Sequence, residues 1–269
     1  MTPRPGRLVL LGHPVAHSLS PTFQNAALQA AGIPLVYEAL DVEPAGLAAV
    51  VDRLVAERTA GNVTIPHKAA MLARCATVTP VAARAGAVNT FWVDDRGQLQ
   101  GDNTDVGGFD AAVGTLLGET PRGVTVALLG AGGAAGAVLA AVERWPHSSV
   151  RLWSRRQEAG VLLAGRFDAA VSAHELLAEA IRGADLVVNA TPIGLADDAI
   201  PFPVALVRRQ SAVLDLVYRR GGTAWIRAAR TRGLRAMDGL PMLLEQGALA
   251  FERWFGVAPD RAAMRASLA

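Results

Sequence analysis

Short apolar runs rich in β-branched residues alternate along this chain with stretches whose apolar positions recur every three to four residues. An unbroken apolar run or a period near two marks a strand, and a period near 3.6 marks a helix. In the first part the pattern predicts strands at Arg7–Gly12, Leu35–Val42, Gly61–Ile65, Ala87–Val93 and around Leu99. Helices are predicted at Pro21–Ala31, Pro44–Arg58 and Pro66–Ala76. Each opens on a proline, whose fixed φ suits a first helical turn, and Gly32 stops the first. A second set of strands follows at Val124–Leu129, Val150–Trp153, Asp185–Asn189, Ala212–Val217 and Leu234–Met237, with helices between. The chain closes with a helix over Pro241–Phe255 and a short one after Pro259.

This alternation predicts an α/β protein. We expect an N-terminal α/β substrate domain over residues 1–105, completed by C-terminal helices over 239–269. Residues 106–238 should form a Rossmann-type, doubly wound parallel-sheet cofactor domain, with the active site in the cleft between the two.

Bulk composition narrows the class without naming a chemistry. A length of 269 residues and 51% hydrophobic content suffice for two packed cores. A single cysteine, Cys75, excludes an internal disulfide and fits a reducing compartment. The apolar run Leu8–Leu11 is too short for a signal-peptide core, so a cytoplasmic location is expected. A net charge of +2 argues against nucleic acid as a partner, and the eight arginines from Arg208 to Arg235 read as a solvated face. Residues Val124–Val142 carry no charge and would satisfy a hydropathy window, but a strand, a glycine-rich turn and an alanine-rich helix follow one another there. That order argues against a membrane span.

The basic residues hold the sharpest chemical signal. Of 26, only one, Lys68, is lysine. An amine can exchange a proton where a guanidinium stays charged. The position also lies in a first helical turn, where the macrodipole disfavours a cation. Lys68 is therefore the first catalytic candidate.

The second signal is Gly130-Ala131-Gly132-Gly133-Ala134-Ala135, a G-x-G-x-x-A loop that leaves a predicted strand and enters a helix. Glycines admit a pyrophosphate close to the backbone, and the helix N-terminus offers it N–H groups. After the next strand stand Ser154, Arg155 and Arg156, where an NAD site usually places an acid. Arginine there suits a 2′-phosphate, so NADP is the expected cofactor.

Four polar clusters fall at strand-to-helix junctions: Gly12 to Pro21, Asn62 to Lys68, Ala87 to Thr90, and Gly101 to Asp105. Their hydroxyls, carboxamides, amine and carboxylate suit a small polyhydroxylated ligand. Ser20 also reads as a helix N-cap, and Asn103 or Asp105 as turn residues. His13, His17 and His67 show no metal-ligand spacing, and no metal is expected.

In this order the motifs H-S-x-S-P, N-V-T-I-P-H-K, G-A-V-N-T, G-D-N-T-D, G-A-G-G-A, N-A-T-P-I-G and D-G-L-P-M-L-L-E-Q resemble the shikimate dehydrogenase family over nearly the whole chain. The resemblance implies reversible, NADPH-dependent reduction of 3-dehydroshikimate to shikimate in aromatic amino acid biosynthesis. By position it implies Lys68 and Asp105 as the catalytic pair. Substrate contacts would come from Ser18, Ser20, Asn62, Thr64, Lys68, Asn89, Asp105, Tyr218 and Gln246. Cofactor contacts would come from Gly130, Ala131, Gly132, Gly133, Ala134, Ala135, Ser154, Arg155, Arg156, Thr191, Gly239 and Met242. Lys68 would hydrogen-bond the reacting carbonyl and give it a proton, Asp105 would orient the amine, and a monomer or homodimer is expected. Two departures stand out. Ser154-Arg155-Arg156 replaces the family's common asparagine-arginine-threonine, and Val106 replaces a glycine, with an effect expected on core contacts alone. The alternatives are a quinate/shikimate dehydrogenase with looser substrate or cofactor choice, which Ser18 and Arg155 disfavour, and a non-catalytic NADP-binding regulator.

Overall fold

A computed structural model describes residues 5–167 and 171–268. The expected first strand is within that range, and residues 1–4 before it lie outside. The chain divides into two compact units, one of residues 1–108 with 243–269 and the other of residues 109–242.

The first unit begins with β1 (Arg7–Gly12), α1 (Ser20–Ala30), β2 (Tyr37–Asp41), α2 (Leu47–Ala56) and β3 (Thr59–Val63). It continues through α3 (Lys68–Arg74), β4 (Thr77–Val78), α4 (Pro80–Ala85), β5 (Thr90–Val93), β6 (Leu99–Asp102) and the first turn of α5 (Asp105–Leu117). Its six strands run in the order β2-β1-β3-β5-β6-β4. β1 pairs in parallel with β2 and β3, whereas β5 runs antiparallel to both β3 and β6. This mixed pairing brings Thr90, at the start of β5, opposite both Asn62 near the end of β3 and Asp102 at the end of β6. One edge of the sheet therefore collects the junctions after β1, β3 and β6 together with the one before β5. Val9, Leu11, Val63, Phe91 and Val93 point one way from these strands and meet Val51 and Leu54 of α2 and Met71 of α3 in a dry cluster. Each such side chain contributes about 1.5–3 kcal/mol by leaving water.

The second unit contains β7 (Thr125–Leu129), α6 (Gly133–Val142), β8 (Ser149–Trp153), α7 (Gln157–Ala164), β9 (Val171–His174) and α8 (Leu177–Ile181). After them come β10 (Leu186–Asn189), β11 (Ala212–Asp215), α9 (Ala224–Thr231) and β12 (Arg235–Met237). All pairings are parallel, in the order β12-β11-β10-β7-β8-β9. Counting from β7, this is the doubly wound Rossmann order, with chain direction across the sheet reversing between β7 and β10. The uncharged segment that mimicked a membrane span is β7, the glycine turn and α6. Residues Ala135 to Val142 of α6 are all buried, so the helix is apolar because the protein surrounds it. No helix among the described residues is long and apolar enough to cross a membrane.

The chain then enters α10 (Leu240–Phe255) and ends with α11 (Arg261–Ala266). Asp260 caps α11, accepting from the Ala262 and Ala263 amides.

Several expected boundaries move. The helix expected from Pro66 begins at Lys68, after a turn at residues 65–67. Ser20 is the first residue of α1 rather than its cap. Leu19 holds the cap position without a side-chain bond, while the Ser20 amide donates to Ser18 Oγ at 3.2 Å. The helix expected from Pro44 divides into a 3₁₀ turn at Pro44–Gly46 and α2. Val106 is buried in α5.

Candidate active site

In the first unit, side chains from three junctions and from helix α10 converge on one another. Lys68, at the start of α3, donates to Asp105 Oδ2 at 2.6 Å, with side-chain exposures of 17% and 7%. The other oxygen, Oδ1, accepts from Asn89 Nδ2 at 2.9 Å. Asp105 begins α5 but directs its carboxylate at these two side chains, not at a cap. Asn89 Nδ2 also lies 2.9 Å from Thr104 Oγ1 and 3.1 Å from Gln246 Oε1. Its Oδ1 accepts from the Thr104 amide at 2.7 Å. Gln246, on α10, donates from Nε2 to the Leu243 carbonyl at 2.8 Å.

This geometry has a chemical consequence. A carboxamide carries two N–H bonds. At Asn89 three acceptors compete for them, so Asp105, Thr104 and Gln246 retain acceptor capacity that a ligand hydroxyl can use. Lys68 carries three N–H bonds, and the bond to Asp105 uses one. The site thus presents both donors and acceptors to a polyhydroxylated ring.

Ser18 and Ser20 follow β1 and Thr64 follows β3, two adjacent parallel strands. Thr64 donates its amide to the Leu11 carbonyl at 2.8 Å, which holds the two junctions together.

Asn62 differs from the rest. Its Oδ1 accepts from the Tyr37 hydroxyl at 2.8 Å, and its Nδ2 donates to Thr90 Oγ1 at 2.8 Å and the Asn89 carbonyl at 3.1 Å. The carboxamide is taken up by the interior, where it ties β2, β3 and β5 together. Burial in the same place raises the Tyr37 phenol well above its ordinary range.

The three histidines have identifiable partners or places. His67 is buried with Nε2 2.6 Å from the Val42 carbonyl, so that nitrogen carries the proton. His13 Nδ1 lies 2.6 Å from Asp41 Oδ1, and this hydrogen bond lowers the Asp41 carboxyl. His17 is exposed. No cluster able to hold a metal ion occurs among the described residues.

In the second unit the candidate cofactor residues occupy the carboxyl ends of adjacent strands: Gly130 to Ala135 after β7, Ser154 to Arg156 after β8, Thr191 after β10, and Gly239 after β12. Gly130 has φ +114, and a Cβ there would come 2.8 Å from the Ala190 carbonyl oxygen. Gly239 approaches more closely still, since a Cβ would lie 2.2 Å from the Leu216 oxygen. Both positions require glycine. At Gly132, which caps α6, a Cβ would meet nothing within 4 Å, and no side chain caps the helix. The first-turn amides of a ten-residue helix are left for an outside acceptor. Arg155 and Arg156 are exposed beyond β8, Ser154 is buried, and Met242 is buried at the start of α10. These residues fit a phosphorylated dinucleotide: a helix N-terminus for its pyrophosphate and guanidinium groups for a further phosphate.

A doubly wound sheet with a glycine loop at its reversal point, coupled in one chain to an α/β unit holding a partly buried amine–carboxylate pair, defines a two-unit α/β protein of the dehydrogenase class. Comparison with known proteins gives the particular family. The profile described as the shikimate dehydrogenase substrate binding domain matches residues 10–91, and that described as the shikimate 5′-dehydrogenase C-terminal domain matches residues 239–269. The shikimate dehydrogenase (NADP(+)) of Rubrobacter xylanophilus is 45% identical, over 96% of this chain and 94% of its own. A Thermus thermophilus shikimate 5-dehydrogenase, solved in complex with NADP(H) and shikimate, is 40% identical with a TM-score of 0.86 over 97% of each chain. A quinate dehydrogenase from Corynebacterium glutamicum, solved with NAD, is 30% identical with a TM-score of 0.87 over 97% of each chain. The chain belongs to the shikimate dehydrogenase family.

Sequence reasoning passed over two residues. Asn189 and Asp215 end the otherwise apolar strands Leu186–Asn189 and Ala212–Asp215, and both are fully buried. A polar residue closing an apolar strand beside a ligand-binding edge was the available signal.

Proposed function

We propose that this protein is a shikimate dehydrogenase that reversibly reduces 3-dehydroshikimate to shikimate with NADPH, within aromatic amino acid biosynthesis. The observation that carries the reading is the 2.6 Å contact of Lys68 with Asp105, set among the carboxamides of Asn89 and Gln246. NADPH, when bound, supplies the hydride. The protein's own work is to hold the substrate and manage a proton. Lys68 donates a hydrogen bond to the ketone oxygen and passes its proton there as the alkoxide develops; in the reverse direction the amine takes it back. Asp105 keeps the amine aimed and accepts from a substrate hydroxyl. Ser18, Ser20, Asn62, Thr64, Asn89 and Gln246 complete the substrate set, and we assign Tyr218, which follows β11, to it as well. The 2′-phosphate falls to Arg155 and Arg156, with Ser154 beneath them. We further take the enzyme to be a cytoplasmic monomer or homodimer that needs no metal, nucleic acid or membrane.

The relation to an NAD-bound quinate dehydrogenase sets the design of the test. Shikimate and quinate, each with NADP and NAD, are assayed by nicotinamide absorbance. Shikimate with NADP should give the highest kcat/KM by at least about tenfold over every other pair. A higher value for quinate or for NAD would overturn the assignment.

A further inference from the structure

The buried pair passed over in the sequence links the turns that carry two of the proposed contact residues. Asn189 Oδ1 accepts from the Thr191 amide at 3.0 Å and from its hydroxyl at 2.6 Å, which shapes the turn after β10. Asn189 Nδ2 donates to Asp215 Oδ1 at 2.8 Å, across the pair of strands. The same Asp215 oxygen accepts from the Val217 amide at 3.1 Å, one residue before Tyr218. Its second oxygen accepts from the Thr223 hydroxyl at 2.7 Å, and that hydroxyl caps α9 by accepting from the Ile226 amide. Asn189, Asp215 and Thr223 are all fully buried. Backbone bonds run beside this chain, with Leu216 donating to the Asn189 carbonyl at 2.9 Å and Gly239 to the Val217 carbonyl at 3.0 Å.

Core stability does not call for this arrangement. A carboxylate among apolar strands carries a desolvation cost, and burial does raise the Asp215 carboxyl, with nearby Asp238 pushing the same way. An apolar pair of similar size would fill the space without that cost. What the pair supplies is direction. A carboxylate accepts only, so it forces the Asn189 amide hydrogens towards itself and leaves the Asn189 oxygen facing Thr191.

We propose that Asp215 is a positioning residue for the cofactor: through Asn189 it fixes the orientation of the turn at Thr191, and through the Val217 amide the turn leading to Tyr218. This rests on the assignment of NADP(H) to the second unit. Asp215→Asn removes the forced polarity, because the new amide can present hydrogens where Asn189 already does. Asn189→Ser leaves Asp215, Thr223 and the α9 cap in place, but the serine is too short to span from Thr191 to Asp215, so it breaks the chain between them.

The test measures the dissociation constant of NADP+ by calorimetry on the full-length protein, together with kcat and KM for shikimate and the melting temperature. For Asn189→Ser we expect NADP+ binding to weaken by about tenfold, on the scale of one or two buried hydrogen bonds. Asp215→Asn should weaken it at least as much, and the double variant no more than the worse single one, since both cut one chain of contacts. Should Asp215→Asn fail to fold, Asn189→Ser decides alone. A purely structural role would lower the melting temperature while the folded protein kept its dissociation constant and kcat/KM within twofold, and that result would overturn the proposal. Wild-type protein that binds no NADP+ would overturn the functional assignment along with it.

Discussion

The two candidate sites are built by opposite means. In the first unit, side chains lock side chains: Lys68, Asp105, Asn89 and Gln246 hold one another through bonds of 2.6–3.1 Å, with all but the partly exposed lysine buried. In the second, the backbone makes the site. Two glycines admit neighbouring carbonyls, a helix N-terminus stands uncapped by any side chain, and the arginines lie in solvent. The difference follows the chemistry proposed for each. A proton transfer depends on the position of one atom to a fraction of an ångström, and only a crowded, mutually bonded cluster fixes a flexible amine that well. Phosphate binding sums many weak, diffuse attractions, which amide dipoles and mobile guanidiniums provide without fine adjustment.

Substitutions in the locked site should therefore fall on turnover, and those in the backbone-built site on cofactor affinity. Lys68→Ala should have the largest effect, a loss of about 10²–10⁴-fold in kcat. NADP+ affinity, measured by calorimetry, should be unchanged. Lys68→Arg should recover little, because a guanidinium keeps its proton; near-native kcat in that variant would reduce the role of Lys68 to charge alone.

Asp105→Asn comes next. Its amide cannot accept from both Lys68 and Asn89, so one contact turns into a donor facing a donor. We expect kcat/KM to fall by about 10²-fold with the melting temperature held within a few degrees. Asparagine caps a helix about as well as aspartate, so unimpaired turnover would mean that Asp105 merely starts α5.

A smaller effect is expected for Arg155→Asp. KM for NADPH should rise roughly tenfold, as a charge-assisted contact becomes a repulsion, while NADH use holds or improves. Equal losses with both cofactors would show that Arg155 supports the fold. Arg156 stands beside it, so the double substitution separates shared from single duty.

The smallest effect concerns the exposed pair His13–Asp41. Its hydrogen bond lowers the Asp41 carboxyl, so any stabilisation is present above the unfolded value of about 3.9 and disappears as pH falls through the folded one. Asp41→Asn should therefore differ from wild type only slightly in melting temperature at neutral pH, and not at all in strong acid. A gap that widened with acidification would reverse the sign of this linkage.

The alternation of strands and helices was legible because each element is long and periodic: β1 starts and stops at the expected residues, and α10 begins one residue early. Elements without such a pattern were missed. β4 has two residues, β9 reads Val-Ser-Ala-His without an apolar face, and α4 is one alanine-rich turn and a half closed by Gly86. Within the site, Lys68 and Asp105 were legible from residue type and motif, but their contact joins positions 37 residues apart and needed the fold. The partner of Asn62 was hidden for the same reason, since the hydroxyl its carboxamide meets comes from Tyr37, on a different strand. Asn189 closed one predicted strand and Asp215 lay inside another, and nothing in their neighbourhoods announces that the two strands pair side by side.

The lone lysine has an experimental consequence. Apart from the α-amino group, the chain offers reductive methylation a single amine, at Lys68. Isotope-labelled methyl groups placed there would give one side-chain resonance, already assigned, at the centre of the proposed chemistry. Its titration, with and without shikimate, would report the protonation of the proposed proton carrier directly, without mutagenesis or a crowded spectrum.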